Sequence, residues 1–314
     1  MNDPQLKPYR DFGPWITEQI GAKAQKISVN AGFTCPNRDG TLGRGGCTYC
    51  NNQTFNPAYC QQAKSVGAQL EEGIAFFSRK YPQMKYLAYF QAYTNTYAPL
   101  PELQRRYEEA LAVPGVAGIV IATRADCVSG DVLDYLSELQ KRAFVLVEYG
   151  IESTDDAVLQ RINRGHDFAA VQRAVEQTAK RGIPCGGHLI LGLPTTHQIA
   201  NYIEQEAARL NALPLTTLKI HQLQIVRGTA MEREFRAAPQ DFPRYSLDEY
   251  LDCLVRFIRL LRPSLVLERF VSQSPPELLA VPGWGLKNHE FVARLHKRLQ
   301  ETDSWQGKDL ANNN

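Results

Sequence analysis

The chain has 314 residues, with 35 Lys+Arg against 33 Asp+Glu (formal net charge +2), and is 44% hydrophobic and 22% charged. These are the proportions of an ordinary globular protein, and they exclude a strongly basic nucleic-acid coat and a polyacidic tail. No apolar run approaches the roughly 20 residues of a membrane span, and none follows the first lysine as a secretory signal would, so a cytoplasmic chain without a membrane partner is expected.

In chain order, Ile27–Asn30 reads as a short strand, followed by a long loop rich in Gly, Cys and Asn that runs to about Pro57. Val66, Leu70, Ile74 and Phe77 then share one face of a helix ending before Pro82. Tyr86–Gln91 is a strand, and Leu103, Tyr107 and Leu111 mark the next helix. Ala117–Thr123 is wholly apolar, as a parallel strand buried on both faces must be. The alternation continues with a helix over 131–141, a strand over 144–149, helices over 155–162 and 168–181 (the second capped by Asp167), a strand over 186–191, a helix over 197–210 and a strand over 218–225. Six strands separated by helices predict a parallel sheet with right-handed crossovers. Six is two short of a closed eight-stranded barrel, so an open or partial barrel and a doubly wound sheet both fit.

After about Thr229 the composition turns polar. Ser246-Leu-Asp-Glu249 is a capping box opening an amphipathic helix, Leu265–Phe270 can form one more strand, and 287–300 is a helix carrying His289, Arg294, His296, Lys297 and Arg298. The last dozen residues are polar and are expected to be disordered.

Seven cysteines are present, three of them within the loop after the first strand: Cys35, Cys47 and Cys50. Thiolates are soft ligands that favour zinc or iron–sulfur centres. Cys47 and Cys50, two residues apart, can grip one centre, and the Gly-rich loop lets Cys35 fold back as a third ligand. A structural zinc or a plain ferredoxin cluster needs four ligands, and Cys60 alone lies near enough to complete such a set. Three ligands leave an open coordination site, which suits chemistry better than structure; the alternative is three idle thiols in a loop. Cys60, Cys127, Cys185 and Cys253 are scattered and read as core thiols. The strand ends are independently informative, because in parallel barrels they carry the active site. Here they hold Gln91 to Asn95, Thr123-Arg124, Glu148 to Glu152, His188 with Gly192, and Lys219 with His221. Lys219 and His221 alternate with Leu218 and Ile220, so an aliphatic pair facing the helices puts the polar pair in the cavity. Asp126 and His166 read as loop braces.

The segments Phe33-Thr-Cys-Pro-Asn-Arg-Asp-Gly40, Ala122-Thr-Arg-Ala-Asp126, Asn163-Arg-Gly-His166 and His188-Leu-Ile-Leu-Gly-Leu-Pro194 resemble the radical S-adenosylmethionine (SAM) superfamily. Eleven residues between the first two cysteines, where the superfamily usually has three, are similar to the YhcC-like proteins and to the radical SAM domain of the Elongator catalytic subunit. The resemblance spans about residues 20 to 300. It implies a [4Fe–4S] cluster on Cys35, Cys47 and Cys50 that cleaves SAM reductively to methionine and a 5′-deoxyadenosyl radical. It also places Gln91, Ala92 and Thr94 at the SAM amino group, Thr123 at a ribose-binding strand end, Glu152 and Arg164 on the ribose and carboxylate, His188 at a position often acidic, and Tyr49 near adenine. Reduction would require a reductase or flavodoxin-type donor.

The resulting expectation is an α/β fold: a partial (β/α)6 TIM-type barrel over 1–228, a small C-terminal α/β extension over 229–302 covering it, and a disordered tail over 303–314. Glu268, Arg269 and the Trp284 segment of the extension are candidates to shape a substrate pocket. The substrate class is left between RNA and a small metabolite. The rival readings are a zinc-stabilised RNA-binding protein that needs Cys60 and a non-catalytic iron–sulfur electron carrier.

Overall fold

The structure is a computed structural model and describes residues 7–54, 56–79 and 83–310. Pro82 and the two ends of the expected domain limits, 1–6 and 311–314, lie outside the described residues. The elements in order are α1 (Phe12–Ile20), β1 (Ala24–Val29), α2 (Pro36–Asp39), α3 (Val66–Ser78), β2 (Lys85–Phe90), α4 (Leu100–Leu111), β3 (Val116–Thr123), α5 (Gly130–Leu139), β4 (Phe144–Glu152), α6 (Asp156–Arg161), α7 (Phe168–Lys180), β5 (Cys185–Leu191), α8 (Ile199–Ala212), β6 (Thr217–Gln222), α9 (Ala230–Ala237), α10 (Leu247–Leu260), β7 (Val266–Arg269) and α11 (Asn288–Glu301).

All seven strands pair in parallel and in sequence order. A doubly wound sheet reverses its strand order at a switch point; this one never does, so its crossover helices stay on one face and the sheet curls as a half-barrel. The sheet has one strand more than the six expected, because β7 extends it beyond β6. The extension therefore supplies an edge strand of the sheet. The caps follow the sequence: the Asp167 side chain accepts from Ala170 N, and Ser246 with Glu249 forms the capping box of α10.

Two apolar layers flank the sheet. The outer one joins strand residues such as Ile27, Phe90, Ile119, Val147, Leu189, Leu218 and Ile220 to the helices. A smaller inner one, Trp15, Ile16, Leu87, Tyr89, Val120, Leu146 and Val266, plugs the bottom of the half-barrel. Trp15 and Ile16 come from α1, an element the periodicity did not announce. This helix packs where β1 and β7 fail to close: Leu267 N donates to Arg10 O at 2.8 Å and Asp11 bridges Leu267. The seam is also spanned by Lys26 Nζ, which donates to both Glu268 carboxylate oxygens at 2.7 and 2.8 Å.

The expected disordered tail is corrected over its described part. Ser304 and Gln306 are buried, Gln306 Nε2 donates to Arg262 O and Leu265 O at 2.8 Å each, and Gln306 Oε1 accepts from Arg10 N. Polar composition suggested solvent, but these side chains saturate backbone groups left over at the seam.

Candidate active site at the strand ends

The cysteine loop is held down by the rim. Cys35 N-caps α2, whose Arg38 and Asp39 amides donate to Cys35 O. Gly46 N donates to Asn37 O, Asn163 Nδ2 to Gly46 O at 2.9 Å, and Asn37 Nδ2 to Asn163 O at 2.5 Å. Thr48 N donates to Ile162 O, and Met231 N to Thr48 O. The loop is thereby pinned to the α6–α7 connection and to α9, and all three thiols line one end of a cavity of about 250 Å³. Cys47 Sγ lies 3.8 Å from Asn37 Nδ2 and 3.6 Å from Arg164 Nη1, both donors. Burial and then the Cys47 thiol push Cys50 up to about 11, against the pull of Arg38. A bound metal centre would supply the positive charge needed to ionise such a group.

Arg164, 6% exposed, sits under this loop. Its Nη2 donates to Gly150 O and lies 3.7 Å from Glu152 Oε1, which brings Arg164 and Glu152 together beside the thiols. Backbone strain gathers here: among the described residues, Tyr93, Glu152 and Asn163 account for three of the four non-glycine residues with positive φ, the pattern of residues held against preference at a functional site. Thr123 Oγ1 meets Thr96 Oγ1 at 2.6 Å, and Thr96 donates to Cys127 O. The one Thr96 proton being spent, Thr123 is the donor of that pair, and its oxygen is left as an acceptor toward the cavity.

Of the expected SAM residues, Tyr49, Gln91, Thr94, Thr123, Glu152, Arg164 and His188 all line the cavity. Ala92 is buried and is not among the lining residues, so the structure does not bring this expected position to the cavity wall. Lys219 and His221 also line it, whereas Asp126 and His166 do not; Asp126 grips Arg124 through two hydrogen bonds of 2.8 and 2.9 Å. Trp284 is displaced from the expectation: it stacks on Phe291 and lines a second, smaller cavity with Tyr245. Cys60, Cys185 and Cys253 are buried as expected, while Cys127 is only half-buried.

Sequence reasoning missed Asn37 and Lys26, and placed Arg124 at a polar strand end without giving it a role. Arg124 is 3% exposed, lines the cavity, and has its buried Nη1 without a partner among the described residues. Asn37 lay inside a motif already in view, where only the fold shows it reaching a sulfur. Lys26 lies one residue before the strand read over Ile27–Asn30 and drew no attention there. It belongs to a buried network below the cavity, in which Glu148 Oε1 accepts from Lys26 (2.7 Å) and Oε2 from Lys219 (2.7 Å) and meets His188 Nε2 (2.8 Å). Lys219 also reaches Tyr89 OH at 3.0 Å and Glu268 at 3.3 Å.

Gly150 shows how closely the site is built. A Cβ added there would come within 2.5 Å of Glu152 Oε1 and 2.6 Å of Arg164 Nη2. Both are side-chain ends that can shift, so Gly150→Ala should fold normally yet weaken SAM binding about tenfold by displacing the pair, roughly 1.4 kcal/mol. Equilibrium dialysis with labelled SAM, beside a melting curve, measures both.

Residues 33–204 match the Radical SAM superfamily model and residues 215–301 match the Radical_SAM C-terminal domain. The chain is 33% identical to uncharacterized protein YtqA of Bacillus subtilis (strain 168), covering 96% of this chain and 92% of that protein. It is 35% identical to protein YhcC of Escherichia coli (strain K12), covering 92% of each. Among solved structures, Elp3 of Methanocaldococcus infernus with an N-terminal deletion superposes with a TM-score of 0.65 at 15% identity, covering 90% of this chain and 64% of that chain, which is a likeness of fold. Methylornithine synthase (PylB) superposes with a TM-score of 0.52 at 12% identity, over 91% of this chain and 83% of that one. Three thiols at the strand ends of a parallel half-barrel, within a chain that these models match along most of its length, identify the protein as a radical SAM enzyme, a member of the radical SAM superfamily.

Proposed function

We propose that Cys35, Cys47 and Cys50 hold a [4Fe–4S] cluster and that the adjoining cavity binds SAM for its reductive cleavage. The family implies both groups, and the residues present fit them. The observation that carries the reading is the donor set around one end of the cavity. Three soft ligands stand there with Asn37 and Arg164 pointing N–H groups at Cys47, and Arg124 Nη1 is buried without a partner beside them. Donors and positive charge around a thiolate cluster stabilise its reduced state. When bound, the cluster supplies the electron that breaks a sulfonium C–S bond of SAM.

The chain's own residues do the rest. Arg164 offers a planar fork to a carboxylate, Glu152 and the Thr123 oxygen accept from hydroxyls, and Tyr49, Gln91 and Thr94 wall the cavity with His188. The Trp15–Val266 plug excludes water from below. One-electron reduction calls for an external donor of the reductase or flavodoxin type. A small metabolite is favoured over RNA as substrate, because part of the basic face of α11 is already engaged: Arg298 pairs with Asp248 and Asp252, and His296 Nε2 bonds Tyr9 OH.

The test is anaerobic reconstitution with iron and sulfide, reduction with SAM present, and assay of 5′-deoxyadenosine. Cys35→Ala, Cys47→Ala and Cys50→Ala should each lose the cluster absorbance. Cys60→Ala should keep it, since the Cys60 thiol donates to Ser28 O at 2.9 Å and is not among the residues lining the cavity. A zinc protein would instead need Cys60, and an electron carrier would show a cluster spectrum indifferent to SAM. No deoxyadenosine from a fully reconstituted, reduced protein overturns the reading.

A further inference from the structure

The nitrogen-bearing side chains that line the cavity do not all belong to its cysteine end. Arg38, Arg124 and Arg164 stand beside the thiols, where the cluster and the SAM carboxylate account for their charge. Across the cavity, β5–β7 present a second group: His188, Lys219, His221 and Arg269. Glu152 is the only acidic residue lining the cavity among those described, and it is taken by Arg164. The two carboxylates below the far wall are already used, Glu148 by Lys26, Lys219 and His188, and Glu268 by Lys26 and Lys219.

Arg269 makes no ion pair or side-chain hydrogen bond among the described residues, although it borders a cavity. The His221 ring likewise has no hydrogen-bond partner among them; its one contact of note is the His188 ring, 5.8 Å between centroids. A guanidinium and an imidazole with free donor capacity, set above the buried Lys219 ammonium, form an anion site without an anion of the protein's own. Ser272, also on this wall, adds a hydroxyl, whereas the Ser274 hydroxyl is donated to Gln224 Oε1 at 2.7 Å. Nothing in SAM chemistry at the other end requires these groups.

We propose that Arg269 and His221, with Lys219 beneath them, bind an anionic group of the substrate, a carboxylate or a phosphate, and so orient the rest of the molecule toward the SAM end of the cavity. This rests on the radical SAM reading for its orientation, but the binding site stands apart from the cluster.

The probes are inorganic phosphate and propionate, titrated into cluster- and SAM-loaded, unreduced protein while the His188 and His221 ring signals are followed by NMR. A saturable shift of His221 with either probe is expected, and whichever probe binds more tightly names the anion. Arg269→Gln should weaken that binding by about tenfold or more, the scale of a charge-assisted hydrogen bond, with an unchanged melting temperature. Arg269→Lys should restore part of it. No saturable shift with either probe, or a shift that survives Arg269→Gln, overturns the proposal. Because no turnover is read, that failure leaves deoxyadenosine formation intact. Failure of the radical SAM reading would appear instead as a lack of deoxyadenosine with anion binding preserved.

Discussion

Replacing Glu148 by Gln should destabilise the protein by about 3–5 kcal/mol, the cost of removing one partner from a buried charge group. Glu148 is 1% exposed and is the acceptor for Lys26, Lys219 and His188 at once. The amide keeps the shape but brings a donor to face two ammonium groups and leaves Glu268 to serve both lysines. Burial alone would raise the Glu148 pKa; Lys219, Lys26 and the His188 hydrogen bond outweigh it and hold the carboxyl well below its ordinary value. A folded pKa below the unfolded one contributes stability that is present above the unfolded value, about 4.3, and is lost only as pH falls through the folded value. The wild-type network should therefore persist at pH 5, and the variant should be weaker throughout the neutral range. Urea unfolding at pH 7 and pH 5 measures both. Lys219→Met combined with Glu148→Gln should cost less than the sum of the single changes, since one charge of each sign is removed. A Glu148→Gln protein within 1 kcal/mol of wild type, the size of an exposed pair, would mean that the network is solvated and carries little.

Arg164→Lys should lower SAM affinity about 10- to 100-fold, from the 1.5–3 kcal/mol of a hydrogen bond to a charged group. The guanidinium spans Gly150 O, Cys47 Sγ and Glu152 from one buried position. A lysine ammonium is a point donor and cannot reach all three. The same change withdraws a donor from Cys47, so the cluster potential should fall as well, because hydrogen bonds to the sulfurs favour the reduced state. SAM binding by dialysis and an anaerobic redox titration read the two effects separately. Lower affinity without a change in potential would place Arg164 on SAM alone; the absence of both effects would remove it from the site.

Much of this architecture could be read along the chain. The periods of 2 and 3.6 residues gave strands and helices in their right order, and wholly apolar strands such as 117–123 required burial on both faces. The cysteine spacing and the polar strand ends marked one rim before any fold was known, and Leu218 and Ile220 predicted which way Lys219 and His221 would face. Each of these is a signal of spacing within a few residues, which is how local backbone geometry is encoded.

What remained illegible depends on contacts between distant segments. Lys26 and Glu268 are 242 positions apart, and Asn37 and Asn163 are 126 apart. Whether such residues meet is decided by strand register, and a slip of one residue turns every side chain to the opposite face. Helix α1 and the packed part of the tail show the same limit: neither has a strong pattern of its own, and both are ordered by the backbone and apolar groups exposed where β1 and β7 fail to pair. The sequence by itself determined a parallel α/β chain with a three-thiol loop at its active rim. Only the tertiary structure decided how the half-barrel is closed, which charges are buried beneath the cavity, and which cations face into it without a partner, because those depend on register and long-range packing that no local spacing encodes.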